Sequence, residues 1–454
     1  MIQFEKKNRR HSIKPVQFVC LSFFLLIMAG TLLLMLPIAS KTGDVTNPLD
    51  ALFTATSATC VTGLTVMDIY SHWTVFGQTV IILLIQLGGL GLLTFTTFFA
   101  LFFRRKVGLK NLRVAGEQMS IGIEDVNHVL SRIITITFVT EGIGAFLLML
   151  SFIPKFGAGG IWMAVFTAVS AYCNAGFDVF GFISPFCNLI PFAGDWIVML
   201  VVPTLIICGG LGFFVFNDII TSRRRGKVVH HLSLHSKTVL IMTGILLAIA
   251  IIIYMLLEYH GSMGDLSFAD KVGVSFFSAA TPRTAGFSMV DYSQTHELTR
   301  LLTIVLMFIG ASPTSTGGGI KTSTAMVLIM TVYSVLRGKS DTIIFGKRVD
   351  KTVVYKAFAI TMCSLFLVMV SVIIMSLCEP DYSFLNLLFE CTSAFSTTGL
   401  SAVGTQNLGN ISRIILILLM YIGRVGPLSF ILTLNLHGQK DKSVTIPEGK
   451  ILVG

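Results

Sequence analysis

Long apolar segments alternate with short polar segments along the whole chain. Four apolar segments are long enough for a helix to cross a hydrocarbon core of about 30 Å, which takes about 20 residues. They are residues 16–39, 133–153, 238–257 and 357–378. A shorter amphipathic stretch follows each of them, and a helix of that length does not span a membrane. These stretches are 47–58, 160–172, 267–280 and 383–395.

This order predicts an all-α integral membrane fold of four tandem helix–pore-loop–helix repeats. Each repeat has an outer helix, a short helix that enters the membrane and turns back, an outside loop and an inner helix. We therefore expect eight transmembrane helices and four re-entrant pore helices around one central pore. The predicted repeats are residues 1–111, 112–230, 231–340, with a broken inner helix, and 341–454, which includes the C-terminal tail.

Four similar motifs follow the short stretches. They are SATCVTGL (57–64), SAYCNAGF (170–177), SAATPRTAGF (278–287) and SAFSTTGL (393–400). Their glycines Gly63, Gly176, Gly286 and Gly399 lie 113, 110 and 113 residues apart. Such even spacing indicates internal repetition of one structural unit.

A second glycine series follows the first. It reads GGLG (88–91), GGLG (209–212), GASP (310–313) and GRVG (423–426). Its offsets from the first series are 25, 33, 24 and 24 residues, so the loop of the second repeat is longer. We expect these glycines to allow close packing of the inner helices.

Composition and charge support a membrane protein. The chain is 54% hydrophobic and 12% charged, with a mean hydropathy of +0.82, whereas soluble domains carry roughly a quarter charged residues. The net charge of +10 does not indicate nucleic-acid binding, because most basic residues fall into five clusters between the apolar blocks. Clusters in short loops stay in the cytoplasm. The chain is therefore predicted to be a multi-pass protein of the cell membrane, surrounded by lipid, with both termini cytoplasmic.

The glycine motifs have the chemistry of an ion filter. Non-helical backbone at membrane depth is tolerated where protein buries it or where it lines a water-filled cavity, and backbone carbonyls there can replace an ion's hydration shell. The alternative, glycines that serve only helix packing, fits one motif better than four evenly spaced ones. The candidate filter residues are Cys60, Val61, Thr62 and Gly63; Cys173, Asn174, Ala175 and Gly176; Thr284, Ala285 and Gly286; and Ser396, Thr397, Thr398 and Gly399.

A polar insert interrupts the third inner helix. Residues 310–324, GASPTSTGGGIKTST, separate two apolar runs that are each too short to span a membrane. Proline and consecutive glycines break helices. We expect a broken helix that faces the pore and forms a gate, rather than a loop between two separate spans. The candidate gate residues are Gly310, Pro313, Gly317, Gly318, Gly319 and Lys321. Lys321 places positive charge on the path or extends to the cytoplasm.

Arg424 is a further candidate gate residue, because an arginine inside an apolar helix is costly. It is expected to face the pore or to pair with a carboxylate. The candidate carboxylates are Glu141, Glu258, Asp270 and Glu390. Three aspartates just after the glycine motifs either concentrate cations at the outer mouth or are ordinary loop residues: Asp68, Asp178 and Asp291.

These motifs together resemble the Trk/Ktr/HKT superfamily, and specifically the Ktr-type membrane subunit of bacterial potassium uptake systems. The resemblance covers essentially the whole chain. It rests on the segments ALFTATSATCVTGL, FGQTVIILLIQLGGLG, ATPRTAGF, MFIGASPTSTGGGIKT, SAFSTTGL and YIGRVGPLSF. Relatives often carry Thr where this chain has Cys60.

The resemblance implies K⁺ bound at the filter residues. A serine in the first repeat accompanies Na⁺ preference in related plant transporters, so Gly63 fits the K⁺-selective pattern. It also implies an intramembrane loop that obstructs the path, Arg424 as an electrostatic barrier, a homodimer, and a cytoplasmic ring of nucleotide-binding regulatory subunits. No covalent cofactor is expected, and Na⁺ involvement stays open.

Two other functional classes were weighed against a K⁺ uptake protein. A secondary transporter for another cation or a small solute typically has two inverted repeats, which fits four repeats in one direction poorly. An enzyme is not expected, since the sequence contains neither HExxH, paired catalytic carboxylates nor a nucleophile–base motif. The nucleotide-binding motif GxxxxGK[ST] is likewise not found in the sequence, so nucleotide control would have to come from another protein.

Overall fold

The computed structural model describes residues 15–91, 126–224 and 232–427, and this part of the chain is mostly helical. The predicted repeat boundaries at 111/112 and 230/231, both termini and the basic cluster at 104–113 lie outside the described residues. One small antiparallel pair was not expected from the sequence: β1 (Ile343–Ile344) with β2 (Lys347–Arg348). Its two-residue turn, Phe345 and Gly346, has positive φ at both positions, which suits a tight hairpin.

Four long helices, here called outer helices 1 to 4, have the length and apolarity of membrane spans. Their mean hydropathies over the candidate spans are 2.3, 2.0, 2.9 and 2.6. Many of their large apolar side chains point outward, and Leu256 is 74% exposed. Such a surface is stable against lipid rather than water. The outer helices are Pro15–Leu34, Val126–Phe156, Leu234–Glu258 and Lys351–Cys378.

Four short helices, numbered 1 to 4, follow the outer helices and pack against them. Each has 13 or 14 residues, which is about 20 Å of helix and less than a membrane crossing. Asn47, Ser267 and Ser383 cap the first, third and fourth of them by accepting a backbone N–H. The short helices are Pro48–Cys60, Gly159–Tyr172, Phe268–Ala280 and Phe384–Ser396.

Four inner helices complete the pattern. The first, second and fourth have 16 residues and the third has 12. In the described chain, four single helices have the length and apolarity of a membrane span, or five spans if one bent pair is counted, so the eight expected transmembrane helices stay a prediction. The inner helices are Val75–Leu90, Trp196–Leu211, Glu297–Phe308 and Asn410–Val425.

Glycine explains where three inner helices end. Gly91, Gly212 and Gly426 follow their last turns with φ of 80°, 89° and 94°, a conformation that side chains disfavour. After Gly212 the chain continues as the helix Phe213–Arg224, bent by 88° from the second inner helix. The last glycine of each GxxG motif therefore stops a helix that apolarity alone would extend.

Carboxylates fasten outer helices to inner helices at one end of the molecule. Glu258, at the end of outer helix 3, accepts hydrogen bonds from the His296 backbone N–H and the Thr299 hydroxyl of inner helix 3. Glu379, after outer helix 4, accepts one of 2.7 Å from the Gly409 N–H before inner helix 4. These bonds satisfy backbone donors at helix starts and keep both helices of a unit together.

A repeated contact joins each inner helix to the short helix of the next unit. Outer and short helices of one unit pack together, and every inner helix also packs onto the short helix of the following unit. The order is cyclic, because the fourth inner helix meets the first short helix. The side-chain contacts are Gln78 with Trp162 (2.8 Å), Met199 against Gly273, Arg300 with Asn386 (2.5 Å) and Arg413 with Asp50 (2.7 Å).

The last of these contacts is an ion pair between the two ends of the described chain. Arg413 also donates to the carbonyls of Leu408 and Gln406, both at 2.9 Å. The side chains of Arg413 and Asp50 are 18% and 10% exposed, so solvent screens their attraction only partly. This pair closes the ring of helices.

We predict that Arg413→Met lowers the free energy of unfolding by about 2 kcal/mol, because Asp50 keeps a partly buried charge without its partner. The measurement is the thermal unfolding midpoint in detergent micelles. Arg348→Met is the matched control, since Arg348 pairs with Asp341 at 65% exposure of its side chain and such surface pairs contribute little. Equal shifts for both variants would contradict a ring-closing role.

Candidate functional site

Four glycine loops meet at one point of the molecule. We use this name for residues 61–64, 174–177, 284–287 and 397–400, each of which follows a short helix. A Cβ added to any of the four glycines would lie closer than 3.0 Å to a carbonyl oxygen of the next loop. The pairs are Gly63 with Ala175, Gly176 with Ala285, Gly286 with Thr398 and Gly399 with Thr62. The fourth loop contacts the first, so the loops form a closed ring.

The backbone conformation repeats in all four loops. Each glycine has a positive φ, between 70° and 95°. The residue two positions before it is also left-handed although it is not glycine, which is unusual and marks backbone held by its surroundings. Alternating left-handed residues let successive carbonyls face one side, unlike the alternation of an extended strand. These residues are Val61 (59°), Asn174 (61°), Thr284 (69°) and Thr397 (54°).

Serines at the start of two motifs hold the loops. The Ser57 hydroxyl accepts the backbone N–H of Gly63 at 3.1 Å, and Ser393 accepts that of Gly399 at 3.0 Å. Every motif begins with a Ser-Ala pair, for which the sequence pattern indicated no role. In three of the four motifs this serine lies six residues before the glycine, and that spacing is the signal that could have revealed the hydrogen bond.

In the second and third loops the anchoring hydroxyl donates a hydrogen bond to a backbone carbonyl instead of accepting one from an N–H. Ser170 donates to the Phe177 carbonyl at 2.8 Å, and Thr281 donates to the Phe287 carbonyl at 2.5 Å. Thr281, and not Ser278 of the Ser-Ala pair, thus anchors the third loop. The two additional residues of SAATPRTAGF form an extra turn between the helix and the loop, and shift the anchoring hydroxyl along the chain.

Several candidate side chains point into the protein. Cys173 donates to the Gln86 side chain at 3.6 Å, and Ser396 donates to the Thr392 carbonyl at 2.6 Å. Cys60 is fully buried. These side chains support the loops, and Ala175 and Ala285 contribute only their backbone to the ring. The ring is therefore a structure of carbonyl groups.

Other polar atoms at the ring have no partner among the described residues. They are Thr62 Oγ1, Asn174 Oδ1 and Thr397 Oγ1, all buried. The Thr284 hydroxyl, in contrast, accepts the Asn174 amide at 3.4 Å, and that of Thr398 bonds with Ser396 at 2.8 Å. Buried polar atoms are normally hydrogen-bonded. Unpartnered polar atoms beside converging carbonyls are typical of a site that holds water or an ion.

A vestibule opens on one side of the ring. Its volume is about 370 Å³, and all four ring glycines line it together with Asp178 and Asp291. Burial of its carboxyl group and the negative charge of Asp68 raise the pKa of Asp178, which lies outside the helices, to about 7. Asp68 does not line the vestibule, because it caps the one-turn helix Ile69–His72. Two of the three predicted mouth aspartates therefore face this space.

On the other side, the broken third inner helix passes beneath the ring. It ends at Phe308, residues 309–321 are irregular, and a new helix, Thr322–Leu336, begins after them. Added Cβ atoms on Gly317 and Gly318 would collide with the hydroxyls of Thr284 and Thr397. The glycines thus let this loop, here called the cross-loop (309–321), lie directly against the third and fourth glycine loops.

Hydrogen bonds hold the cross-loop in place. The Ser312 backbone N–H donates to the Gly210 carbonyl at 3.1 Å. Nearby, the Pro313 carbonyl lies against Gly212, where a side chain would collide with it. Lys321 donates to the Gly317 carbonyl at 2.6 Å. Lys321 therefore folds back onto the cross-loop instead of extending to a membrane surface.

Arg424 reaches the cross-loop from inner helix 4. Its guanidinium donates to the carbonyls of Thr316 and Gly88, and to that of Gly89 at 3.3 Å. Within residues 15–91, 126–224 and 232–427, no ion pair includes Arg424. Among the described residues, backbone carbonyls and not carboxylates are therefore the hydrogen-bond partners of this guanidinium.

The four candidate carboxylates have other partners. Glu258 binds His296 and Thr299, as described above. Each of the others accepts a hydrogen bond from a nearby neutral side chain: Glu141 from Gln86 (3.1 Å), Asp270 from Ser267 (2.7 Å) and Glu390 from Thr405. Each acid thus has a neutral hydrogen-bond donor close by in the folded chain. The sequence does not show these donors, and so it could not indicate which groups would bind Arg424.

The second glycine series packs the inner helices onto the short helices. Added Cβ atoms would collide with carbonyl oxygens at the ends of the short helices of the same units. Gly310 instead lies against the Gly318 carbonyl within the cross-loop. The predicted close packing is thus found in three units. The colliding pairs are Gly88 with Thr59, Gly209 with Tyr172 and Gly423 with Phe395.

A mostly helical protein with several apolar helices of spanning length, and with four glycine loops that meet beside a vestibule, has the features of an integral membrane transport protein. The chain matches the family model described as TrkH, cation transport protein, over residues 3–446. It belongs to this family of cation transport proteins, which are transporters and not enzymes.

Known relatives extend over the whole chain. The Ktr system potassium uptake protein B of Bacillus subtilis (strain 168) is 39% identical over 100% of both chains. The potassium/sodium uptake protein NtpJ of Enterococcus hirae is 36% identical over 99% of both chains. The crystal structure of the potassium transporter TrkH from Vibrio parahaemolyticus has the same fold, with a TM-score of 0.73 and 16% identity, covering 95% of this chain and 87% of that one.

We predict that Gly423→Ala destabilises the protein by about 1–3 kcal/mol, the usual cost of overpacking, because its methyl group meets the Phe395 carbonyl. The measurement is the thermal unfolding midpoint in detergent. Gly244→Ala, in outer helix 3, is the matched control: it has open space around it, and alanine favours helix. A midpoint for Gly423→Ala equal to that of Gly244→Ala would rule out this packing role.

Proposed function

We propose that this protein takes up K⁺ across the cell membrane through a pore on the axis of the four glycine loops. The observation that carries the proposal is the closed cyclic contact of these loops, which brings four sets of backbone carbonyls together. Carbonyl rings of this kind replace the hydration shell of an ion. The full-length relatives named for potassium uptake support K⁺ as the ion.

The proposed ion site consists of the candidate filter residues. Carbonyls of the loop residues bind the ion, and the unpartnered Thr62 and Thr397 hydroxyls and Asn174 amide oxygen lie within the same structure. The glycines are needed because each lies against a neighbouring carbonyl. The four units, 1–111, 112–230, 231–340 and 341–454, then act as repeats around one path, with the vestibule as the outer mouth and both termini in the cytoplasm.

The same proposal makes the cross-loop the gate. It lies under the third and fourth glycine loops, and the Arg424 guanidinium holds it from across the path. A positive charge there also repels cations. The gate opens when Gly310, Pro313, Gly317–Gly319 and Lys321 move away from the ring, and such a change requires a partner with different affinities for the two states.

The proposed partner is a cytoplasmic nucleotide-binding ring that acts on a homodimer of this chain in the lipid bilayer. The support is the family membership and the name "Ktr system", which describes the relatives as part of a system. Na⁺ enters the proposal as a coupling or competing ion, since one relative is named for both potassium and sodium. Transport of another cation by a secondary mechanism is the alternative, which flux measurements distinguish.

We predict that serine at Gly63, Gly176, Gly286 or Gly399 lowers K⁺ over Na⁺ selectivity by about tenfold, equivalent to about 1.4 kcal/mol, because the side chain displaces a neighbouring carbonyl. The measurement is flux of K⁺, Rb⁺ and Na⁺ in proteoliposomes. Gly157→Ser is the matched control, since Gly157 also has a positive φ (63°) but open space around it. Unchanged kinetics for both ions in all four variants would refute the filter.

We predict that deletion of 314–322 raises K⁺ flux in reconstituted vesicles, because the obstruction below the ring is removed. Arg424→Gln is a milder variant that weakens the hold on the Thr316 carbonyl, and we expect it to raise flux as well. Flux no higher than wild type in folded samples of both variants would refute the gate.

A further inference from the structure

The loop after the second glycine loop has a feature that pore formation alone does not explain. It is the longest of the four: Gly176 and Gly209 are 33 residues apart, against 24 or 25 in the other units. Three of its residues, Phe186, Asn188 and Ile190, line the vestibule. Phe186 and Asn188 have positive φ, 58° and 50°. Non-glycine residues persist in this conformation when surrounding contacts impose it.

Contacts with the first unit hold one part of this loop. Asp68 accepts the backbone N–H of Phe186 at 3.1 Å with one carboxylate oxygen and that of Ser71 at 2.6 Å with the other. Gly181 lies so close to Asp68 that an added Cβ would collide with its carboxylate. The loop is thus tied to the chain that follows the first glycine loop.

Aromatic packing holds the loop against its own unit. The Phe192 ring lies 4.8 Å from that of Phe180 and 5.3 Å from that of Phe152, measured between centroids. All three rings are almost completely buried. Aromatic clusters of this kind add specific geometry to apolar burial. Asn188 therefore projects from a rigid support.

Asn188 bonds to the third unit with both ends of its amide. Its Oδ1 accepts the N–H groups of Leu189 at 2.9 Å and Ser288 at 3.1 Å. Two N–H donors on one atom identify that atom as the oxygen, so the nitrogen is at the other position. This Nδ2 donates to the carbonyl of Gly286, a ring glycine, at 3.5 Å. In the described chain, Gly286 is the one ring glycine whose carbonyl accepts a side-chain hydrogen bond.

We propose that Asn188 is a specificity-determining positioning residue: it fixes the direction of the Gly286 carbonyl and so influences the ion preference of the ring of glycine loops. The inference rests on the proposed filter function. A carbonyl that keeps one lone pair on an amide donor cannot turn freely toward a smaller ion. Since Na⁺ requires shorter contacts than K⁺, restricting one carbonyl of the ring favours K⁺.

Asn188→Asp removes the hydrogen-bond donor and keeps the acceptor. Aspartate keeps the oxygen that accepts from Leu189 and Ser288 and tolerates the left-handed conformation, but it replaces the donor facing the Gly286 carbonyl with an oxygen. We expect K⁺ over Na⁺ selectivity to fall by about threefold to tenfold, the range for loss of one hydrogen bond, with an unchanged unfolding midpoint. Asn188→Gly, which suits the same φ, should lower selectivity in the same way without adding charge.

Asn407→Asp is the matched control for charge. Asn407 is exposed on the fourth unit, next to vestibule residue Gln406, and donates to the Val403 carbonyl at 3.2 Å, which is not part of the ring. We expect this variant to keep wild-type selectivity in the same proteoliposome assay with K⁺, Rb⁺ and Na⁺. If it changes selectivity as much as Asn188→Asp does, mouth charge and not carbonyl positioning is responsible, and the inference is overturned.

Gly286→Ser separates this inference from the proposed function. If Gly286→Ser loses selectivity while Asn188→Asp and Asn188→Gly match wild type, the filter stands and the role of Asn188 is refuted. If Gly286→Ser and the other three ring-glycine variants all keep wild-type kinetics for both ions, the filter proposal fails. Should Asn188→Asp not fold, Asn188→Gly decides the question by the same readout.

Discussion

Backbone groups that leave a helix inside a membrane need partners, and this requirement organises the whole molecule. A short helix that ends at membrane depth exposes carbonyls that no lipid can satisfy. Here the ends of the four short helices turn toward one another, and each ring glycine lies against a carbonyl of the next loop. A side chain at these positions would force the loops apart. The ring therefore exists only as a set of four, and no unit can form it alone.

The rest of the fold keeps the four ends in contact. Outer helices provide the lipid-facing surface, and the second glycine series lets the inner helices touch the ends of the short helices. Inner helices reach forward to the next unit, and the ion pair of Arg413 with Asp50 joins the last unit to the first. Packing within units and packing between units therefore both hold the four glycine loops in contact.

The units differ where function requires asymmetry. The second unit contributes the long loop with Asn188, the third contributes the cross-loop, and the fourth contributes Arg424. Each addition contacts the ring or the cross-loop through backbone carbonyls: Gly286 for Asn188, and Thr316 for Arg424. The four glycine loops contact one another in the same way, so these additions from single units are what make the surroundings of the ring asymmetric.

Local patterns in the sequence determined the elements, because apolar length, helix-breaking glycines and repeat spacing act within one unit. The short helices lie within one or two residues of their predicted positions. Tertiary structure alone decided which groups meet. No local pattern relates the chain segments that these contacts join. Examples are the cyclic order of the units, the ion pair of residues 50 and 413, the carbonyl partners of Arg424 and the anchoring of the third loop by Thr281. Several donors could satisfy each of these groups, and only the packed geometry selects one.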